Sequence, residues 1–419
     1  MAKIKIITFG CSNNVAESEI MAGLLKKAGH KIVESNEDLT IINLCTVKGP
    51  SLNKGINAAA KVKTRLIFAG CIPKHAINKL LAIKKNVSII NTHNLEKITT
   101  VVNKTLEGKQ EIVLAEKKKI KLCMPRLRKN SNIAIIPISS GCVSSCSYCA
   151  VKNVKGNLMS YPAAAIIKEI KNGLSDGCKE IWLTAQDTGC YGMDIKTSLT
   201  ELLHNVSKIK QKFYVRLGMA NPSFIYKQLN ELVEVFKNDK IFKFLHLPLQ
   251  SGSDKVLKNM NRNYNVKQFL SIVSKFREEI PGVTIATDII VGYPTETEQD
   301  FKKTVDIIKK IKPEVLNLNR FWRMPGTKSE HLKPLPSEVL KKRSLIVHKL
   351  HKEIALAQNK KWINWVGEVL VDETGRGKSF IARNFAYKPI VIKDNVKLGA
   401  FVKVKVYSYT EHYLKAKTV

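Results

Sequence analysis

The sequence predicts an α/β chain in three parts. A doubly wound parallel-sheet domain comes first, a partial (β/α)6 barrel follows, and a small all-β, OB-like barrel ends the chain. Three observations carry this expectation. Short β-branched runs alternate with helical periodicity through most of the chain. The last 60 or so residues change to short strand-like runs separated by turn signals. Two sets of three cysteines each fall just beyond strand-like runs. The expected boundaries are 1–107, a basic linker 108–131, 132–358 and 359–419.

The 419 residues are 44% hydrophobic and 25% charged, ordinary for a globular protein with a core. The charge balance is not ordinary: 70 Lys+Arg against 35 Asp+Glu give a formal net charge of +35. Such a bias points to a polyanion, nucleic acid or an anionic membrane surface, although a lysine-rich solvated surface gives the same balance. The longest apolar runs, such as Val283 to Tyr293, are far shorter than the roughly 20 residues that cross a bilayer. The opening MAKIKIITFG lacks the apolar core of a signal peptide. Nine cysteines without that signal read as metal ligands or buried thiols in a reducing cytoplasm.

Strands are expected at Ile4–Phe9, Leu39–Leu44, Arg65–Ala69 and Val87–Asn91, with helices over Ala16–Ala28 and Leu52–Val62. Cys11, Cys45 and Cys71 each follow the carboxyl end of one of these strands. Ligands of open α/β sheets bind outside those ends. With strands about 4.8 Å apart, three such thiols can converge on one small object. An iron–sulfur cluster has the right size and ligand type. Three independent buried cysteines are the plainer alternative.

Residues 101–130 carry nine Lys/Arg and three Asp/Glu, and Pro125 breaks any helix there. The run suits phosphates or a merely solvated linker. Cys123 within it has no partner spacing.

Six strand-like runs then follow: Ile133–Ser139, Glu180–Thr184, Phe213–Leu217, Phe242–Leu247, Val283–Ile290 and Val315–Phe321. Helical segments such as Pro162–Leu174, Val266–Glu279 and Glu298–Ile311 separate them. Six βα units suggest an incomplete relative of the eightfold barrel, with its active site at the carboxyl ends of the strands. After the first strand come Cys142, Cys146 and Cys149, spaced C-x3-C-x2-C in a Gly/Ser-rich loop. Three thiolates on a cubane leave one iron open. A zinc loop would need a fourth ligand from elsewhere.

From Ser337 to Asn359 the pattern is helical and basic. Strands are expected at Trp365–Val371, Ser379–Arg383, Ile390–Ile392 and Phe401–Tyr409. Residues 331–419 hold 18 Lys/Arg and seven Asp/Glu, with Phe380, Phe385, Tyr387, Tyr407 and Tyr409 interleaved. Basic groups contact phosphates and rings stack on unpaired bases, so Arg376, Lys378, Arg383 and Asn384 are candidate RNA contacts. A core of aromatics beneath a solvated surface is the alternative.

Taken in order, the motifs resemble the radical S-adenosylmethionine (SAM) methylthiotransferases over nearly the whole chain. The matching pieces are Phe9-Gly10-Cys11-Ser12-Asn13-Asn14, Asn43-Leu44-Cys45-Thr46-Val47-Lys48, Ala69-Gly70-Cys71-Ile72-Pro73, and the Cys142 loop. His246-Leu247-Pro248-Leu249-Gln250-Ser251-Gly252, Thr287-Asp288 with Gly292-Tyr293-Pro294, and Arg323-Met324-Pro325-Gly326-Thr327 continue the series. The carboxyl-terminal part resembles the TRAM domain of the same family. Asn13-Asn14, the run Trp182 to Gly189, and Arg216 to Pro222 are most similar to the branch shared by archaea and eukaryotes. That branch acts on N6-threonylcarbamoyladenosine at position 37 of tRNA.

The resemblance implies that Cys142, Cys146 and Cys149 bind a [4Fe–4S] cluster that cleaves SAM to a 5′-deoxyadenosyl radical. It implies that Cys11, Cys45 and Cys71 bind an auxiliary [4Fe–4S] cluster carrying the sulfur to be inserted at C2 of adenine, with a second SAM giving the methyl group. Tyr148, Gln186, Asp187, Arg216, Gln250 and Asp288 are candidates to hold SAM; each also reads as a capping, turn or packing residue. The Gly-Gly-Glu of many radical SAM enzymes is replaced by Thr184-Ala185-Gln186-Asp187, and Lys155-Gly156 stands where many relatives have Arg-Gly. Cys178 reads as structural, Cys190 lies near the expected site, and His246 reads as a satisfied core histidine.

The implied partners are the tRNA anticodon loop, an electron donor and a sulfur donor, met by a cytoplasmic monomer with no membrane. Competing readings are methylthiolation of N6-isopentenyladenosine in tRNA or of a ribosomal-protein aspartate, and a non-catalytic iron–sulfur RNA-binding protein.

Overall fold

The structure, a computed structural model, describes residues 1–45, 49–114 and 117–419. Thr46, Val47 and Lys48 of the second matching piece therefore lie outside the described residues.

Among the described residues, six parallel strands form the amino-terminal sheet. Their spatial order is Lys31–Ile32, Lys3–Thr8, Leu39–Cys45, Arg65–Cys71, Ser88–Asn91 and Ile112–Val113. Leu39–Cys45 is buried along its whole length, as expected for a parallel strand covered on both faces. Helix Ser12–Lys27 covers one face, together with Ile98–Leu106, around Ile20, Leu25, Ile41 and Val101. The order reverses direction between Lys3–Thr8 and Leu39–Cys45, a topological switch point where a crevice opens at the carboxyl ends. The last strand, Ile112–Val113, falls inside the stretch expected to be linker.

That stretch is also less solvated than its charge suggests. Lys121 and Arg126 are buried, and Arg126 Nε lies 2.7 Å from Glu169 Oε1 on helix Ala163–Ser175.

The central strands form two parallel trios. Ile133–Pro137, Glu180–Thr184 and Tyr214–Leu217 make the first; Phe244–His246, Thr284–Val291 and Val315–Arg320 make the second. A parallel bridge from Val215 to Ile241 joins them into an open arc. Alternation along each strand gives the arc two faces. Ile181, Leu183, Val215, Ile285 and Ile289 face the helices in the main core. Glu180, Trp182, Arg216, Phe244 and Asp288 are in the opposite alternation. Caps fix the helix starts: at Glu298–Ile311, Thr297 Oγ1 accepts from Asp300 N at 3.2 Å while Asp300 Oδ2 accepts from Thr297 N at 3.1 Å.

Both flanking parts pack on the inner face of the arc. Ala16 of the first helix meets Ile133 and Ile135, and Tyr387 meets Phe242, Phe244 and Ala286. The carboxyl-terminal part is a closed barrel around Val369, Ala382, Ile390, Val404 and Leu414. It has one strand more than the four expected, Leu414–Thr418, which closes it between Pro389–Ile392 and Phe401–Tyr409. Helix Ser337–Lys360 leads into it. Among the described residues, no helix is long and apolar enough to cross a membrane.

Candidate functional site

The first cysteine trio is set by the sheet register. Cys45 and Cys71 are paired residues at the ends of adjacent strands. Cys11 caps helix Ser12–Lys27 beside them. Close approach of the chains explains the glycines before Cys11 and Cys71. A Cβ on Gly10 would come within 2.8 Å of Cys45 Cβ, and one on Gly70 within 2.5 Å of the Leu44 carbonyl oxygen; both residues have positive φ.

Asn14 ties the trio together. Its Oδ1 accepts from the Cys11 backbone N–H at 3.3 Å and from the Cys11 thiol at 3.4 Å, and its Nδ2 points at Cys71 Sγ, 4.0 Å away. Asn43 holds Asn14 in turn, donating to its carbonyl at 2.8 Å. A hydrogen bond with the Cys45 thiol and, against burial, the nearby ammoniums of Lys155 and Lys121 hold the Cys71 thiol down at about 7.

The second trio sits on the loop after the first barrel strand. Gln186 Oε1 accepts from Gly141 N at 2.7 Å, Ser147 N donates to the Met260 carbonyl at 3.0 Å, and Asn261 Nδ2 donates to the Ser145 carbonyl at 2.7 Å. Arg262 Nη1 donates to Cys146 Sγ at 3.2 Å. A hydrogen bond with the buried Cys190 thiol holds Cys142 down at about 7, whereas burial pushes Cys149 up to about 12. A metal removes that proton on binding.

Each trio thus supplies thiol sulfur alone, the donor chemistry of an iron–sulfur cluster. Among the described residues no three His, Cys, Asp or Glu side chains are set to hold a single ion. A cubane spreads its ligands over separate corners, so sulfur sets at strand ends and along a loop fit it better than one bare ion.

The remaining candidates divide. Gln186 braces the cysteine loop. Asp187 is buried and accepts from the N–H groups of Gly189 and Asn221, both at 3.0 Å, so it shapes the loops after the second and third strands. Asp288 binds His246 Nε2 and Asn317 Nδ2, each at 2.8 Å. His246 is therefore satisfied, but by a carboxylate on the inner face of the arc. Gln250 has φ +65°, and its buried Oε1 accepts no hydrogen bond. Tyr148 packs with Val256, Met260, Tyr293 and Phe321. Arg216 lies over the rings of Trp182, Phe244 and Tyr387 at 4.9, 5.3 and 5.2 Å, the last a residue of the small barrel.

Of the four expected RNA contacts, Arg376 and Lys378 are exposed on their turn. Arg383 and Asn384 are not surface groups. Arg383 is bound to Asp372 at 3.0 Å and Glu373 at 2.8 Å, and buried Asn384 accepts from Ala386 N and Lys388 N. The Arg383 guanidinium and the Asn384 Oδ1 are spent on the fold, while Asn384 Nδ2 is buried without a hydrogen bond. Cys178 is buried in the main core, and Cys123 is exposed.

The motifs did not point to Arg262 or to the buried Glu17 with its Lys121 and Thr92 partners; Asn43 and Lys155 stood within them without an assigned role. Glu17 Oε1 accepts from both ammoniums and from Thr92 Oγ1. Its carboxyl is held at about 2 against its burial by those two cations.

This architecture is that of a radical SAM enzyme with a cysteine-bearing α/β domain before the barrel and a small barrel after it. Residues 136–308 match the Radical SAM superfamily, residues 3–92 the family described as UPF0004, and residues 365–419 the TRAM domain. The chain is 39% identical to the "Probable threonylcarbamoyladenosine tRNA methylthiotransferase" of Methanothermobacter thermautotrophicus over 99% of both chains. It is 37% identical to the protein of the same name from Pyrococcus horikoshii over 100% of both. Against the human threonylcarbamoyladenosine tRNA methylthiotransferase it is 36% identical, covering 100% of this chain and 74% of the human one. Among solved structures, the radical SAM methyltransferase TsrM from Kitasatospora setae shares the fold, with a TM-score of 0.56 at 11% identity over 79% of this chain and 75% of that one. The chain belongs to the threonylcarbamoyladenosine tRNA methylthiotransferase family.

Proposed function

We propose that the protein methylthiolates C2 of N6-threonylcarbamoyladenosine at position 37 of tRNA. The observation that carries this reading is the pair of three-cysteine sites on one chain, on two domains packed together. Two [4Fe–4S] clusters and SAM supply the radical and the sulfur chemistry when bound. Cys142, Cys146 and Cys149 hold the cluster that meets SAM, and Cys11, Cys45 and Cys71 hold the one that delivers sulfur. Each trio leaves a corner for a non-protein ligand.

Around these groups the chain positions and shields. Gln186 and Arg262 fix the loop carrying the second trio; Asn14 and Asn43 fix the first. Helix Ser12–Lys27 packs on the first barrel strands, and Ser12 Oγ meets Thr184 Oγ1 at 3.0 Å. That contact brings the mouth of the amino-terminal crevice against a carboxyl end of the barrel. Such closure keeps water and stray hydrogen donors from a carbon radical. Asp288, with its His246 and Asn317 partners on the inner face of the arc, and Gln250, whose buried Oε1 accepts no hydrogen bond, are the polar groups this reading assigns to SAM.

Val143, Met193 and Trp322 are exposed on loops after the first, second and sixth barrel strands, and Tyr226 on the short helical segment after the third. Exposed apolar and aromatic side chains suit the unstacked bases of an anticodon loop. Arg376 and Lys378 add phosphate contacts, within a chain of net charge +35. A cytoplasmic monomer served by an electron donor and a sulfur donor completes the reading. The test is nucleoside mass spectrometry of tRNA from a strain lacking the protein. Loss of the methylthio group from threonylcarbamoyladenosine alone is expected; an unchanged profile, or loss from isopentenyladenosine instead, overturns the assignment.

A further inference from the structure

Lys155 belongs to one site by sequence and to the other by charge. It ends helix Val151–Lys155, six residues after Cys149. Its ammonium leaves the barrel and enters the amino-terminal domain, where it donates to Glu17 Oε1 at 2.8 Å and Thr92 Oγ1 at 2.6 Å. Lys121 reaches the same two atoms, each at 2.7 Å. The side chains of Lys155, Lys121 and Glu17 are 3%, 6% and 0% exposed, so no solvent dilutes their charges.

Two cations face one carboxylate in this hub. Asn13 Nδ2 and Thr92 Oγ1 also donate to Glu17 Oε1, so the carboxylate answers to four donors through one oxygen. Its Oε2 accepts no hydrogen bond. An excess positive charge sealed between domains is costly unless an anion lies within reach. Thr92, which both ammoniums reach, donates its backbone N–H to the Gly70 carbonyl at 2.9 Å, one residue before Cys71, and Glu17 lies on the helix that Cys11 caps. The hub's excess positive charge therefore lies beside the strand end and the helix start that carry Cys71 and Cys11, where thiolates on a cluster would balance it.

We propose that Lys155 and Lys121 form a built-in counter-charge for the amino-terminal cluster, raising its reduction potential and holding it in register with the C-x3-C-x2-C loop. The inference rests on the reading that Cys11, Cys45 and Cys71 hold a [4Fe–4S] cluster. A cubane with three thiolates is anionic, and each electron added makes it more so. A fixed cation beside it therefore favours the reduced form. Lys155 and Lys121 are positioning residues in this scheme, since neither ligates the cluster.

The test uses the Cys142→Ala/Cys146→Ala/Cys149→Ala protein, in which only the amino-terminal cluster is read. Iron content, thermal midpoint and the midpoint potential from an anaerobic redox titration followed by electron paramagnetic resonance are measured together. Lys155→Gln is expected to weaken reduction about tenfold, a fall of about 59 mV for one electron. Lys121→Gln moves the potential in the same direction, and Lys155→Arg stays within a twofold change of the parent. Loss of iron in Lys155→Gln with retention in Lys155→Arg supports the same conclusion. If both glutamine variants hold the parent's iron and keep its potential, the hub is only a clamp between domains and the proposal is overturned. Equal loss of iron in Lys155→Gln and Lys155→Arg overturns it as well. A parent that holds no iron overturns the cluster reading itself, and the counter-charge falls with it.

Discussion

Cys45 and Cys71 are paired residues in a parallel ladder, and their thiols hydrogen-bond to each other at its carboxyl end. Their spacing is therefore a property of the sheet and exists before any metal arrives. Cys11 joins them from the neighbouring strand across the switch point, held by Asn14. The trio is thus set by strand register and a helix cap.

Gly70→Ala tests that arrangement. The added Cβ meets the Leu44 carbonyl at 2.5 Å at a residue whose φ is +103°. The variant should lose about 1–3 kcal/mol of stability in urea. It should also lose iron from the amino-terminal site while the Cys142 loop keeps its own. Parent-like stability and iron would show that strand-end geometry does not set the trio.

Among the described residues, Arg262 is the cation that donates to a cysteine of the barrel loop. Arg262→Gln should retain iron but slow reductive cleavage of SAM by roughly 10–100-fold, the usual cost of losing a partner that orients a metal ligand. Formation of 5′-deoxyadenosine under dithionite reports it. An unchanged rate removes Arg262 from the site.

Glu180 and Asp372 meet where the small barrel packs on the central arc, beside Arg383, Glu373, Trp182 and Tyr387. Burial, and then the Asp372 carboxylate, push Glu180 up to about 8 from 4.5. A proton held between the two would satisfy Glu180 Oε2 and Asp372 Oδ1, both buried without a hydrogen bond. The folded state binds this proton more tightly than the unfolded one. Its contribution to stability is complete below pH 4.5 and is lost as the pH rises through about 8. Over that window stability should fall with a slope of up to about 1.4 kcal/mol per pH unit. Glu180→Gln should flatten the slope; identical urea-unfolding profiles for variant and parent would contradict it.

Binding of tRNA should weaken linearly on a log–log plot against salt. Arg376→Ala and Lys378→Ala should each reduce the slope by about one. Asn384→Ala should leave the slope alone and instead destabilise the fold by about 1–3 kcal/mol, because it strips the N–H groups of Ala386 and Lys388 of their acceptor. The opposite pattern would put Asn384 back on the RNA surface.

Both cysteine trios were legible because their signals are local. A cysteine just past a β-branched run, or three within eight residues, needs no tertiary knowledge. The barrel strands were legible through their apolar runs. Lys121 and Lys155 were not, since they meet Glu17 from 104 and 138 residues away. In the sequence Lys121 is one more lysine in a lysine-rich chain, and Lys155 is marked only by its place before Gly156. Leu414–Thr418 alternates lysines with small side chains and lacks the apolar run of the other strands; its place between two partners makes it one. Arg383 and Asn384 misled for a related reason: basic and amide groups in a basic domain read as surface until Asp372 and the 386–388 turn are seen to occupy them.

The division of labour between the trios is tested most directly by reconstituted protein given SAM, a reductant, sulfide and tRNA containing N6-threonylcarbamoyladenosine. The intact chain should yield the 2-methylthio nucleoside together with 5′-deoxyadenosine. Its Cys11→Ala/Cys45→Ala/Cys71→Ala form should still yield 5′-deoxyadenosine but no methylthio product. Methylthio product from that triple variant at the parent's rate would contradict the account.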